Sequence, residues 1–179
     1  MIFLILYLTM VFVVLGLAAL VAYGDLKTMR IPNIYAVIVT IAFFVAFTAD
    51  YFGDGDAFSS LVNHFAAFVL LFIITLILFV MRVFGGGDAK IMPVYALWLG
   101  MGGLISFLFY TALIGFFLAL FALAVQRKKP FKSPQEGSWL YKLQAGDGRI
   151  PYGVAIAGGV LAAFIQKGYL GLDVITGFL

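Results

Sequence analysis

The sequence predicts an all-α integral membrane protein, folded as a bundle of six transmembrane helices. Hydrophobic residues make up 65% of the chain and charged residues only 11%, and the mean hydropathy is +1.16. Soluble domains are roughly half apolar and a quarter charged, so a water-soluble fold could not bury this much apolar surface. The 179 residues hold at most about seven spans of about 20 residues. We therefore expect a single transmembrane domain over residues 1–179.

The first apolar run, Ile2 to Tyr23, predicts a transmembrane helix that is kept in the mature protein. No basic residue precedes it, it is longer than a signal-peptide core, and no small-residue cleavage site closes it. Pro32 and Pro151 stand where later helices can begin. The further apolar runs are Ile34 to Ala49, Leu61 to Met81, Ile91 to Val125 and Pro151 to Ile165.

The run from Ile91 to Val125 is the ambiguous element. As one helix it would be about 52 Å long, which is too long for an upright span, while two full spans need about 40 residues. We expect a break near Gly100, Gly102 and Gly103, which gives a short fourth helix and a full fifth helix.

The basic residues predict the orientation of the six spans, because Lys and Arg gather in cytosolic loops. An outside N-terminus and an outside C-terminus leave only Lys167, of the 11 basic residues, on the outer face. The outer loop Asp50 to Ser60 carries three aspartates and no basic residue. The cytosolic loops then hold Lys27, Arg30, Arg82, Lys90, Arg127, Lys128, Lys129, Lys132, Lys142 and Arg149.

Composition also excludes several classes of function. Cysteine is absent, which rules out disulfides, CxxC zinc sites and thiol nucleophiles. His64 is the single histidine, and we interpret it as a packed or headgroup-facing residue, so we expect no metal and no other cofactor. The net charge is +3, but the basic residues lie between apolar runs, where they set the orientation of the helices in the membrane. The charge therefore does not indicate nucleic-acid binding.

Two polar segments on the predicted cytosolic side could carry chemistry. Gly24 to Asn33 joins the first two helices and contains Asp25, while Phe84 to Lys90 joins the third and fourth and contains Asp88. Taken singly, each aspartate has a structural explanation, since Asp88 follows a glycine turn as an N-cap does and Asp25 fits a solvated interfacial residue.

Together, the two segments resemble the paired signatures of the type IV prepilin peptidases, a family of GxGD aspartyl membrane proteases. Asp25, Lys27 and Ile31-Pro32-Asn33 match the first signature, in which an Asp and a basic residue precede Ile-Pro-Asn. Gly85, Gly87, Asp88 and Lys90 match the second. The stretch Arg149 to Ala155 also resembles the family's opening of the last helix. A second GxGD at Gly53 to Asp56 lacks the following Lys, and we assign it to a turn.

The chain departs from the larger bacterial members, which carry an N-terminal insertion with CxxC motifs and an N-methyltransferase activity. We expect no such insertion here. The resemblance is to the small, peptidase-only form, similar to the enzymes of Flp or tight-adherence pilus systems. Archaeal preflagellin peptidases are the close second.

The resemblance implies an aspartic endopeptidase of the inner (cytoplasmic) membrane with its active site facing the cytosol. Its substrate would be a prepilin or prepilin-like protein, with a short basic leader and an apolar helix. Asp25 and Asp88 would be the catalytic pair, because two close carboxylates can share one proton and act as base and acid. The residues expected to shape the site or contact substrate are Gly85, Gly86, Gly87, Lys27, Arg30, Lys90, Pro32 and Asn33.

Two other functions fit the same residues. A small cation transporter or channel could use inward-facing carboxylates, although such groups usually lie near the membrane midplane. A non-catalytic subunit of a pilus assembly machine could use the same fold for binding. The basic, aromatic stretch Gln126 to Arg149 is expected to lie at the anionic leaflet of the membrane lipids. This stretch could also bind an acidic residue near the start of the mature pilin.

Overall fold

The computed structural model describes residues 1–178, and the regular elements within that range are all α-helices. Four of them are long and apolar enough to cross a membrane, and a fifth is a shorter apolar helix. The prediction of an all-helical, multi-pass membrane protein is confirmed. The helices are α1 (Ile2–Thr28), α2 (Asn33–Phe52), α3 (Leu61–Val80), α4 (Gly86–Lys128), α5 (Trp139–Gln144), α6 (Tyr152–Lys167) and α7 (Leu172–Gly177).

Large apolar side chains cover the outer surfaces of the long helices. Val62 of α3 is 78% exposed and Ile105 of α4 is 80% exposed. Soluble monomers rarely leave extended apolar patches in water, whereas lipid chains cover such a surface at no cost. Aromatic side chains such as Tyr7, Phe43 and Trp98 are instead fully buried between the helices.

α4 is interrupted at Gly100, which divides it into a first arm (86–99) and a second arm (101–128). Gly100 has φ 62° and ψ −177°, a conformation that is essentially restricted to glycine. A Cβ atom here would also lie 2.6 Å from Oδ1 of Asn63. The break expected from the length of the apolar run is therefore present, and its place is Gly100.

Two neighbouring side chains of α3 satisfy the backbone groups that the break leaves free. Oδ1 of Asn63 accepts a hydrogen bond from the backbone N–H of Met101 at 3.0 Å. Nδ1 of His64 donates to the carbonyl of Leu97 at 2.8 Å. Unpaired backbone groups are costly in an apolar environment, so this pair of side chains stabilises the interruption. His64 is thus a buried capping residue and does not face the headgroups.

The first arm of α4 runs antiparallel to α3. At one end, the hydroxyl of Thr75, late in α3, lies 3.1 Å from the carbonyl of Ala89. At the other end, His64, early in α3, meets Leu97. The arm therefore starts beside the end of α3 and finishes beside its beginning.

The second arm returns in the opposite direction, antiparallel to α6. A Cβ at Gly103 would lie 3.3 Å from Lys167 at the end of α6, and one at Gly115 would lie 2.8 Å from Tyr152 at its start. The break at Gly100 is consequently a reversal of the chain. α1, α2, α3, the two arms of α4, and α6 form six helical segments.

The loop that contains the second GxGD sequence is organised by Asp50 at the end of α2. Its two carboxylate oxygens accept hydrogen bonds from the backbone N–H groups of Ala57 and Phe58, at 3.1 and 3.2 Å. Asp54 adopts φ 55° within this loop, and Gly55 lies against the Asp50 carboxylate. The segment is a turn, at the opposite end of α2 from Asn33.

The basic segment after α4 folds back onto the end of that helix. It contains α5, a helix that the sequence did not predict. Leu143 is fully buried and Trp139 is 8% exposed, and both pack against Ala122 and Val125 of α4. The indole N–H of Trp139 donates to the carbonyl of Arg149 at 3.0 Å. These contacts bring the residues that precede α6 next to the end of α1.

Candidate active site

Asp25 lies inside α1, one turn before its end. The sequence placed the helix end near Tyr23, but the helix continues to Thr28 and closes with Met29 in the left-handed conformation, whose N–H donates to the carbonyl of Asp25. No proline interrupts the chain before Pro32, so the helix can run on. Asp25 is consequently held on a rigid helix, and only 7% of its surface is exposed.

Asp88 lies in the first turn of α4, after a run of three glycines. The positive end of a helix favours a carboxylate there, and the residue is half-buried. A Cβ at Gly85 would lie 3.0 Å from Oδ2 of Asp88, and one at Gly87 would lie 3.0 Å from Cβ of Ile31. The missing side chains let the Asp88 carboxylate fold over the turn and let the turn pack against the segment that follows α1.

Both aspartates line the same two cavities. The first cavity, of about 460 Å³, lies between the end of α1 and the glycine turn. The second, of about 660 Å³, lies between the glycine turn and the start of α6. The first is lined by Asp25, Met29, Arg30, Ile31, Pro32, Asn33 and residues 85–88, and the second by Asp25, Met29, Arg82, Val83, Phe84, Gly85, Asp88, Gly148, Arg149, Ile150 and Tyr152.

The two sequence signatures are also joined directly. Nζ of Lys90 donates a hydrogen bond to Oδ1 of Asn33 at 3.2 Å. Arg30 and Pro32 lie beside Asn33 in the wall of the first cavity. Several of the residues predicted to surround the aspartates therefore lie together in the structure. They are the glycine turn, Arg30, Pro32, Asn33 and Lys90.

Lys27 does not line either of the two cavities that contain the aspartates. Because α1 continues past Tyr23, the two-residue spacing from Asp25 turns Lys27 by about 200° around the helix. Its Nζ lies 5.7 Å from the centre of the Tyr23 ring. Both side chains line a third cavity, of about 550 Å³, with Glu136 and Trp139.

The start of α6 supplies residues that the sequence did not assign to the site. The backbone N–H of Gly153 donates to Oδ2 of Asp25 at 2.7 Å in a buried hydrogen bond. Tyr152 and Phe84 pack together in the wall of the second cavity, with ring centres 5.5 Å apart. The motif from Arg149 to Ala155 was the signal that could have identified them.

Arg149 lines the second cavity and forms an ion pair with Asp147. Its guanidinium contacts the Asp147 carboxylate at 2.6 Å, and this pairing lowers the pKa of Asp147 to about 2. The exposed ion pair carries no net charge over the ordinary pH range. Of the other arginines, Arg30 lines the first cavity and Arg82 lines the second.

The fold and this site define a multi-pass membrane protein with two carboxylates at one end of its helices, each open to the same pair of cavities. Such a pair can supply a base and an acid for hydrolysis. A comparison with protein-family models matches residues 3–120, well over half of the chain, to the type IV leader peptidase family. The chain belongs to this family of peptidases. The matched range includes Asp25 and Asp88 and ends before α6. The comparisons with curated proteins and with solved structures gave no match.

Proposed function

We propose that this protein is an aspartic endopeptidase of the membrane that removes the short basic leader from type IV prepilins or prepilin-like proteins. The observation that carries the proposal is that Asp25 and Asp88, 63 positions apart in sequence, line both cavities of the site. Membership of the leader peptidase family supports the same reaction.

In the proposed reaction, the two carboxylates begin with one proton between them. The ionised aspartate takes a proton from a water molecule, whose oxygen attacks the carbonyl carbon of the scissile peptide bond. The protonated aspartate gives its proton to the carbonyl oxygen, which yields a neutral tetrahedral diol. Collapse of the diol breaks the C–N bond, and the amine leaves with a proton taken from the first aspartate. The hydroxyl proton of the diol returns to the other, so the pair again holds one proton.

The cavities on either side of the aspartates suit an extended peptide. Each lies within the usual range for ligand pockets, about 300–1,000 Å³. A helical substrate must unwind before its amide is accessible, and the glycine turn at residues 85–87 leaves backbone groups open to pair with it. We assign the residues before the scissile bond to one cavity and those after it to the other.

The proposed orientation places the aspartates at the cytosolic face of the inner membrane, with all six helical segments crossing the bilayer and both termini outside. This orientation is supported by the basic residues, ten of which then lie in cytosolic segments. Both aspartates lie at one end of the bundle, which favours a peptidase over a cation transporter, whose polar groups usually lie near the midplane.

The test is cleavage by the purified protein in detergent, with a panel of prepilin-like peptides and mass spectrometry of the products. We expect one cut at the boundary between leader and apolar helix, and no cut by the Asp88→Asn variant. If the folded wild-type protein leaves every peptide intact, the proposed activity is wrong and a non-catalytic assembly role takes its place.

A further inference from the structure

We propose that Gly153 is the positioning residue for the Asp25 carboxylate, through its backbone N–H. This inference rests on the proposed function, because it concerns how the catalytic pair is held for reaction. It adds α6, which lies outside the matched range of the family, to the elements that build the site.

The hydrogen bond itself is the first support. Gly153 is the second residue of α6, so its N–H has no carbonyl partner within that helix. It donates to Oδ2 of Asp25 at 2.7 Å, in buried surroundings. A short bond from a backbone amide to a carboxylate is among the stronger hydrogen bonds. The bond therefore fixes the rotation of the Asp25 side chain.

The second support is that only glycine fits this contact. A Cβ at position 153 would lie 2.9 Å from Cβ of Asp25, 3.0 Å from its Oδ2 and 3.2 Å from Cγ1 of Val21. Such distances are shorter than ordinary contacts, and none of the three atoms is the far end of a long flexible chain. Any larger residue must push α6 away from α1 or turn the Asp25 carboxylate.

The bond also gives the two carboxylate oxygens of Asp25 different roles. An N–H group can only donate, so one lone pair of Oδ2 is used to accept this bond. Oδ1 is then the oxygen that faces the catalytic water or holds the shared proton. Asp88 is half-buried on the glycine turn. Asp25 is therefore the member of the pair whose orientation depends on α6.

The first experiment compares Gly153→Ala with Gly158→Ala. Gly158 lies on the same helix, but a Cβ there would clash only with the terminal Cδ1 of Ile114, which can rotate away. For Gly153→Ala we expect kcat to fall by about 10–100-fold, because small misplacements of a catalytic group have large effects. KM should stay within about twofold, as substrate contacts are kept. Gly158→Ala should retain the wild-type kcat. An unchanged kcat in a folded Gly153→Ala protein would overturn the proposal.

The second experiment observes the bond without any activity. Labelling with carbonyl-¹³C tyrosine and ¹⁵N glycine selects the amides of Gly24 and Gly153, the two glycines that follow a tyrosine. Gly24→Ala removes one signal, which identifies the other. We expect the Gly153 amide proton to resonate downfield and to move upfield in Asp25→Ala, but not in Asp54→Ala. A Gly153 signal that does not respond to Asp25→Ala would refute the positioning role even if the wild-type protein cleaves prepilin. If no peptide is cleaved, the proposed function fails while this measurement still decides the contact.

Discussion

Lys90 and Asn33 are joined by a hydrogen bond of 3.2 Å, although they are 57 positions apart in the chain. Asn33 is the first residue of α2, and Lys90 lies in the first turns of α4, two residues after Asp88. The bond therefore connects the segment that follows Asp25 to the helix that carries Asp88. It helps to set the width of the first cavity, which lies between them.

Loss of this hydrogen bond should weaken cleavage moderately. For Lys90→Met and for Asn33→Leu we expect about a fivefold fall in kcat/KM, which corresponds to about 1 kcal/mol for one hydrogen bond. The double variant should lose little more than either single variant, because both changes remove the same contact. The measurement is peptide cleavage by the four proteins, and fully multiplicative losses would contradict the pairing.

Removal of either catalytic carboxylate should abolish cleavage. Asp25→Asn and Asp88→Asn should each lower kcat by at least about 100-fold, because an amide can neither take a proton from water nor return one. The double variant should be only slightly worse, since paired groups act as one unit. Asp54→Asn and Asp56→Asn, in the other GxGD sequence, serve as controls and should cleave normally. Activity in either single variant would mean that other carboxylates perform the reaction.

The glycine turn should not tolerate a side chain at Gly87. An added Cβ would lie 3.0 Å from Cβ of Ile31, so Gly87→Ala must move α4 relative to the segment after α1. We expect a loss of about 1–3 kcal/mol in stability, as for other overpacked contacts, and a lower kcat. Gly16→Ala, whose Cβ would meet nothing within 4 Å, is the control. Thermal unfolding in detergent and cleavage assays should separate the two variants, and equal melting temperatures would count against this packing.

The chain reversal at Gly100 should depend on glycine. Gly100→Ala forces a Cβ to within 2.6 Å of Asn63 at φ 62°, a backbone region that costs other residues about 1–3 kcal/mol. We expect a clear fall in melting temperature. Gly102→Ala, where the nearest atom is Nζ of Lys167 at 3.9 Å, should unfold like wild type. If the two variants are equally stable, the break does not need the conformation described.

The proposed orientation can be tested with single cysteines, because the natural chain has none. Asp54→Cys and Lys132→Cys each replace an exposed residue. In intact cells, a membrane-impermeant maleimide should label the cysteine at position 54 from outside. The cysteine at position 132 should react only after the membrane is opened. Labelling in the reverse order would invert the orientation and move the aspartates to the outer face.

Much of the fold could be predicted from the sequence because bilayer thickness limits helix length. That limit placed a break in the long run after Ile91, and the structure has it at Gly100. The roles of Asn63 and His64, which cap the break, could not be predicted. Polar side chains at the start of one helix give no local sign that they bond to another helix.

The candidate site shows the same division between local and long-range information. The positions of Asp25 and Asp88 could be inferred from motifs that are local in sequence. The direction of Lys27 could not, because it depends on where α1 ends, and helix ends are poorly specified when no proline or capping residue marks them. The role of Gly153 depends on an approach between two helices that only the folded chain reveals.

Asp25 is synthesised 128 residues before Gly153, whose amide holds its carboxylate. At a synthesis rate of about 5–20 residues per second, about 6–26 s pass before Gly153 is made. During that interval α1 to α4 can enter the bilayer, but α6 does not yet exist to orient the carboxylate. A nascent chain of the proposed peptidase therefore lacks the Gly153 hydrogen bond until the shorter apolar helix α6 inserts, so its active site is completed late in translation.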